Sequence, residues 1–100
     1  IVVSGLDAVL QVAESKKIPV VVGEADSVKK GGLITYGIDY NKLGYQTGQM
    51  AVRILKDGAK PATMPVERQA DYRLVINTQA AERMGITVPQ ALLDKADEKV

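Results

Sequence analysis

The sequence predicts an α/β fold in which helices flank a mostly parallel sheet. Three observations carry that prediction. Short β-branched runs alternate with amphipathic helical stretches along the chain. The run Ile18-Pro19-Val20-Val21-Val22 is apolar on both faces, the pattern of a strand covered by helix layers. The elements follow the order helix, strand, strand, helix, strand, helix, helix, with no internal repeat and no low-complexity tract. At 100 residues, 46% hydrophobic and 25% charged, the chain is one globular domain or part of one.

Ser4 to Lys17 reads as the first helix, because Leu6, Val9, Leu10 and Ala13 recur at helical spacing. Ser4 with Asp7 three residues on is a weak form of the capping box, and Lys16-Lys17 suit the far end of the dipole. Ile18 to Val22 is the first strand, with Pro19 tolerable only near its start. Gly23 to Gly32 is a polar connection with a possible helical turn at Ser27 to Lys30. Gly31-Gly32 is a turn into the next strand rather than a phosphate loop, whose flanking pattern is missing.

Leu33 to Ile38 is the second strand. Asp39 to Asn41 is a polar break with Asn41 as a good helix cap. Leu43 to Lys56 follows as a helix with Leu43, Thr47, Met50, Ala51, Ile54 and Leu55 on a buried face and Gly58 as its stop. Gly44 and Gly48 on that helix suit close packing against a sheet. Pro61 and Pro65 keep Lys60 to Asp71 extended. Tyr72 to Ile76 is the third strand. Thr78 to Met84 is a helix ended by Gly85, and Pro89 opens a last helix through about Ala96.

Composition excludes several functions. With no Cys there are no disulfides, thiolate nucleophiles, iron–sulfur clusters or Cys-rich zinc sites. With no His there is no Ser-His-Asp triad. A carboxylate-only metal site is still open by composition, but no metal site or cofactor fingerprint is predicted. Lys plus Arg is 13 and Asp plus Glu is 12, scattered without a basic stripe, so nucleic-acid binding is not expected. No stretch approaches the ~20 apolar residues of a membrane helix. The chain opens with Ile and carries no signal peptide, which reads as a processed or truncated start.

In open α/β sheets ligands bind beyond the carboxyl ends of the strands. Two spots qualify: Gly23-Glu24-Ala25-Asp26-Ser27 after the first strand, and Asp39-Tyr40-Asn41 after the second. Glu24, Asp26 and Asp39 would gather at one sheet edge and could receive an ammonium group or hydroxyls. The helical turn opening at Ser27 would offer free amides to a carboxylate. Together they would suit a zwitterion such as an amino acid. The competing reading is structural: Asp26, Ser27 or Asp39 caps a helix and Glu24 is solvated. Tyr36, Tyr40 and Tyr45 could line a pocket, although a strand role suits Tyr36 better.

The stretch from Ile18, IPVVVGEADSVKKGGLITYGIDYNKLGY, continues as QTGQMAVRILKDGAKPATMPVE, and the tail from Leu74 reads LVINTQAAERMGITVPQALLDKADE. Together these resemble the C-terminal part of ABC-transporter substrate-binding proteins of the tryptophan/tyrosine type. That family has the type I periplasmic-binding-protein fold, of which this chain would be a fragment. The resemblance implies a two-lobed, extracytoplasmic receptor, free in the periplasm or held as a lipoprotein, that closes on a small solute and presents it to an ABC permease. It implies that residues 1–23 belong to the second lobe, 24–57 to the first, and 58–100 to the second again, with crossings near Glu24 and after Lys56. It points to Glu24, Asp26, Ser27 and Asp39, and then Tyr40, as ligand-binding residues, with no cofactor and no catalysis.

The solute expected is an amino acid, an aromatic one first among the candidates. An alternative is the effector-binding core of a transcriptional regulator of the same fold. An enzyme ranks last, since only a carboxylate pair such as Glu24 and Asp39 could do acid–base work. A piece drawn from two lobes lacks sheet neighbours, so the isolated chain is expected to associate as a dimer.

Overall fold

A computed structural model describes all 100 residues. Helix α1 spans Leu6–Lys16 and α2 spans Ala25–Lys29. Strand β1 is Ile34–Gly37, followed by the long helix α3, Tyr40–Leu55. After a single 3-10 turn at Pro61–Thr63 come β2 (Arg73–Ile76), α4 (Thr78–Arg83), α5 (Gln90–Lys95) and the two-residue strand β3 (Glu98–Lys99).

The sheet runs β1-β2-β3, and the extended segment 18–24 lies along the outer edge of β1. That segment is the expected first strand, reduced to isolated parallel bridges at Val21↔Ile34 and Glu24↔Ile38. Leu33 N donates to Val20 O at 2.9 Å and Val22 N to Ile34 O at 3.0 Å. Its two faces are not both covered: Val20 and Val22 pack inward, whereas Val21 is 72% exposed. Gly37 permits this edge to lie close, because a Cβ there would stand 2.7 Å from the carbonyl oxygen of Gly23.

β2 pairs parallel with β3, and β1 pairs antiparallel with β2 in the register Ile34↔Ile76 to Gly37↔Arg73. Two of the three neighbour pairings are thus parallel, as the α/β reading expects. The antiparallel one arises because residues 38–72 leave the end of β1 and return beside it. β3 gives no sequence signal, being two charged residues whose flanks bond β2: Asp97 N donates to Leu74 O at 2.8 Å and Val100 N to Ile76 O at 2.7 Å.

One core holds this body together. Leu6 and Leu10 of α1, Leu33, and Ala80, Ala81 and Met84 of α4 are buried as a cluster, with Val20, Val22, Ile34, Ile86 and Val88 against it. α1 and α4 are also tied at their surfaces. Arg83 Nε donates to Glu14 Oε1 at 2.8 Å, and Lys17 Nζ to the carbonyl of Arg83 at 2.9 Å. The expected capping box does not form: Gly5 is the N-cap of α1, and Ser4 Oγ turns back to donate to Ile1 O. Val9 falls outside the buried stripe.

α3 departs furthest from expectation. It begins at Tyr40 rather than Leu43, because Asp39 takes the cap in place of Asn41. No residue of α3 is buried, and Leu55 is 86% exposed. α3 shares few contacts with any other element. It lies with residues 56–71 as an arm, held by Gln46 and Arg53 on Glu67. The radius of gyration is 17.6 Å, where about 13 Å is usual for a compact domain of this length. The chain is therefore a packed body, residues 1–38 and 73–100, from which an arm projects.

Candidate functional site

The site is built where the body meets the arm. Glu24 ends the edge segment with extended backbone (φ −157°, ψ 164°) and is the N-cap of α2. Its Oε2 accepts from Asp26 N at 2.8 Å and its Oε1 from Ser27 N at 2.9 Å. The Ser27 hydroxyl donates to the same Oε1. The expected anion cradle at Ser27 is therefore filled by the chain's own carboxylate. A glutamate reaches back here where Asp or Ser usually caps.

These contacts set the charge state of Glu24. The Ser27 hydroxyl holds its carboxyl below the ordinary value of 4.5; burial opposes this, and the amides of Asp26 and Ser27 and the charge of Lys30 add to it. A lowered folded value stabilises the protein above pH 4.5 and loses that contribution as pH falls through the folded value. Ser27→Ala is expected to move the Glu24 carboxyl titration, followed by NMR, upward toward 4.5. An unmoved midpoint in the variant would remove the hydroxyl from this account.

Asp39 is the second cap. Its Oδ1 accepts from Asn41 N at 3.0 Å and Lys42 N at 3.2 Å. Its Oδ2 lies 4.0 Å from Arg73 Nη1. The side-chain amide of Gln69 clamps its backbone from the returning segment. Gln69 Oε1 accepts from Asp39 N and Nε2 donates to Asp39 O, both at 3.2 Å. The two connections between body and arm, at 38–40 and 69–73, thus lie side by side.

Between α2 and the start of α3 is a recess of about 180 Å³ lined by Glu24, Ala25, Asp26, Lys29, Ile38, Asp39, Tyr40 and Arg73. Four of the five sequence-predicted residues reach it: Glu24, Asp26, Asp39 and Tyr40. Ser27 does not; it is buried behind Glu24. Sequence reasoning missed the cations Lys29 and Arg73. Arg73 could be found only from the β1/β2 pairing, since Gly37↔Arg73 brings it to the end of β1.

A wider polar hollow, about 530 Å³, opens on the arm between the first turns of α3 and residues 67–71. There Gln46 and Arg53 hold the Glu67 carboxyl below its ordinary value against the opposing effect of burial. No group of three or more carboxylates converges as a metal-ligand set. The recess can do non-covalent work: opposed charges at one wall receive a small polar solute by ion pairs and hydrogen bonds.

Residues 1–100 match the family described as ABC transporter substrate binding protein. Among curated relatives, the "Tyrosine-binding protein" of Clostridioides difficile (strain R20291) is 38% identical over 77 residues, 77% of this chain and 22% of that protein. Among solved structures, an ABC domain in complex with L-Trp from Streptococcus pneumonia aligns with a TM-score of 0.82 at 36% identity. It covers 99% of this chain and 34% of that one. A conserved domain protein from Vibrio cholerae aligns with a TM-score of 0.85 at 33% identity, over 99% of this chain and 33% of its own. The chain spans about a fifth to a third of the length of these proteins.

Proposed function

Because the chain belongs to the ABC transporter substrate-binding protein family, we propose that it is the C-terminal third of a two-lobed solute receptor for an ABC importer. The receptor works outside the cytoplasm, free or lipid-anchored, and delivers its solute to a membrane permease. Its action is binding without catalysis. The solute is an amino acid, aromatic by preference. The relatives named for tyrosine and for L-Trp support that choice, as does a recess carrying both signs of charge.

The observation that carries this reading is the placement of the recess. Glu24 and Asp26 stand on the body, Asp39 and Tyr40 at the root of the arm, and the two connections between them run side by side. Rotation about those connections would open or shut the recess, which is hinge closure. We place residues 39–72 in the first lobe and the body in the second. On that placement the crossings are 38–40 and 69–73, with α2 kept on the body by its packing against β1 and β2.

A thermal-shift screen on the intact receptor tests this reading with aromatic and branched amino acids, pentoses, hexoses and purine nucleosides. A ligand at a hundred times its Kd stabilises by about 2.7 kcal/mol, raising the midpoint by roughly 5–10 °C. We expect that shift with tryptophan or tyrosine. A shift with sugars or nucleosides alone would keep the receptor and remove the amino acid. No shift with any class would remove the recess as a ligand site.

A further inference from the structure

Filling the end of α2 with Glu24 leaves the amino-acid reading without a receptor for the solute's carboxylate. Two cations on the recess wall, Lys29 and Arg73, can supply it. Lys29 Nζ lies 3.5 Å from Glu98 Oε1. Arg73 Nη2 donates to Glu98 Oε2 at 2.6 Å. Two cations share one carboxylate, so that trio keeps an excess positive charge. Of the recess anions, Glu24 is committed to the amides and hydroxyl of α2 and Asp39 Oδ1 to the amides of α3, while the Asp26 carboxylate is engaged by neither.

Arg73 is also short of acceptors. A guanidinium has five N–H donors in a planar fork. Nη2 bonds Glu98; Nε is buried without a partner; Nη1 has only Asp39 Oδ2, at 4.0 Å, beyond hydrogen-bond length. An under-satisfied fork on a recess wall is suited to bidentate recognition of a carboxylate. We propose that Arg73 receives the carboxylate of the bound solute through its Nη1 edge, while Asp26 and Asp39 face the ammonium group. Asp39 Oδ2, which accepts no hydrogen bond while Oδ1 caps α3, is the oxygen left for the solute. The assignment rests on the reading of the recess as the ligand wall.

The test is a functional-group cycle by calorimetry on the intact receptor, with L-tryptophan and L-tyrosine and their carboxamides as probes. A charge-assisted hydrogen bond corresponds to about 10- to 100-fold in affinity. Wild type should bind the amino acids more tightly than the amides by that factor. Arg73→Ala should lose it for the acids and lose little for the amides, closing the ratio toward one. Arg73→Lys, which keeps the charge and loses the fork, should fall between; should Arg73→Ala fail to fold, its ratio decides. Equal binding of acid and amide by wild type overturns the assignment. So does a wild-type acid-to-amide ratio in the variants, and in both cases the amino-acid reading survives. Binding of none of the four probes by wild type overturns both.

Discussion

Asn77→Ala should destabilise the intact receptor by roughly 1.5–2.5 kcal/mol, a large share of the ~5–15 kcal/mol that holds a domain together. Asn77 is 5% exposed and joins three elements. Its Oδ1 accepts from Ala80 N at 2.9 Å and caps α4. Its Nδ2 donates to the carbonyl of Val28, the fully buried residue of α2, also at 2.9 Å. Alanine removes the cap, worth about 1 kcal/mol. It also removes one of the two hydrogen bonds on the Val28 carbonyl, which keeps Gly31 N at 3.0 Å; that loss is worth about 0.5–1.5 kcal/mol. Asn77→Asp keeps the acceptor toward Ala80 but sets a buried carboxylate oxygen against the Val28 carbonyl, so it should cost more than loss of the donor alone. The measurement is the shift in urea midpoint at constant m-value. A loss below about 0.5 kcal/mol, ordinary for a surface change, would show that α2 does not depend on this joint.

Much of this body is legible in the sequence. Leu6, Leu10 and Ala13 give α1 by spacing alone, and Gly85 ends α4 at φ +68°, where L side chains are strained. The family resemblance is borne out by the match over residues 1–100. What sequence could not show falls into two kinds. The first is choice between neighbouring caps: Asp39 beats Asn41, and Glu24 beats Asp26 and Ser27, because only the actual chain path decides which oxygen reaches the free amides. The second is long-range pairing. The direction of β1 against β2 is set by how residues 38–72 return, and with it goes Arg73. The apolar stripe of α3 is a true amphipathic pattern, yet nothing in these residues covers it.

That uncovered surface carries the other large effect. The 100-residue chain alone should run as a dimer or larger species by size-exclusion with light scattering. Only 16 of 100 residues are buried, while Leu55, Tyr45, Val21 and Val12 are 86%, 73%, 72% and 60% exposed. Ala8, Val9, Val12, Ala13, Ile18 and Val20 line an all-apolar hollow beside α1. The segment 18–24 also presents a strand edge with its outer backbone unpaired, a template for a second chain. Replacing Val21 and Leu55 together by Lys should shift the population toward monomer. A clean monomer of the unaltered chain at micromolar concentration would sink the prediction. In the intact receptor the same faces are expected to be covered by the remaining lobe structure.

The β1–β2 ladder bears on how the chain assembles. Its partners Gly37 and Arg73 are adjacent in space and separated by the whole arm in sequence. Joining them closes a long loop, and each doubling of loop length adds about 0.6 kcal/mol of entropy cost. Local pieces such as α1 and the arm helix need no such closure. The ladder is non-local, and non-local pairing slows folding. During synthesis β1 leaves the ribosome well before β2 exists, and one side of its backbone waits unpaired until the arm has been made. The delay is written into the connectivity, so shortening the arm would speed assembly without touching a single core residue.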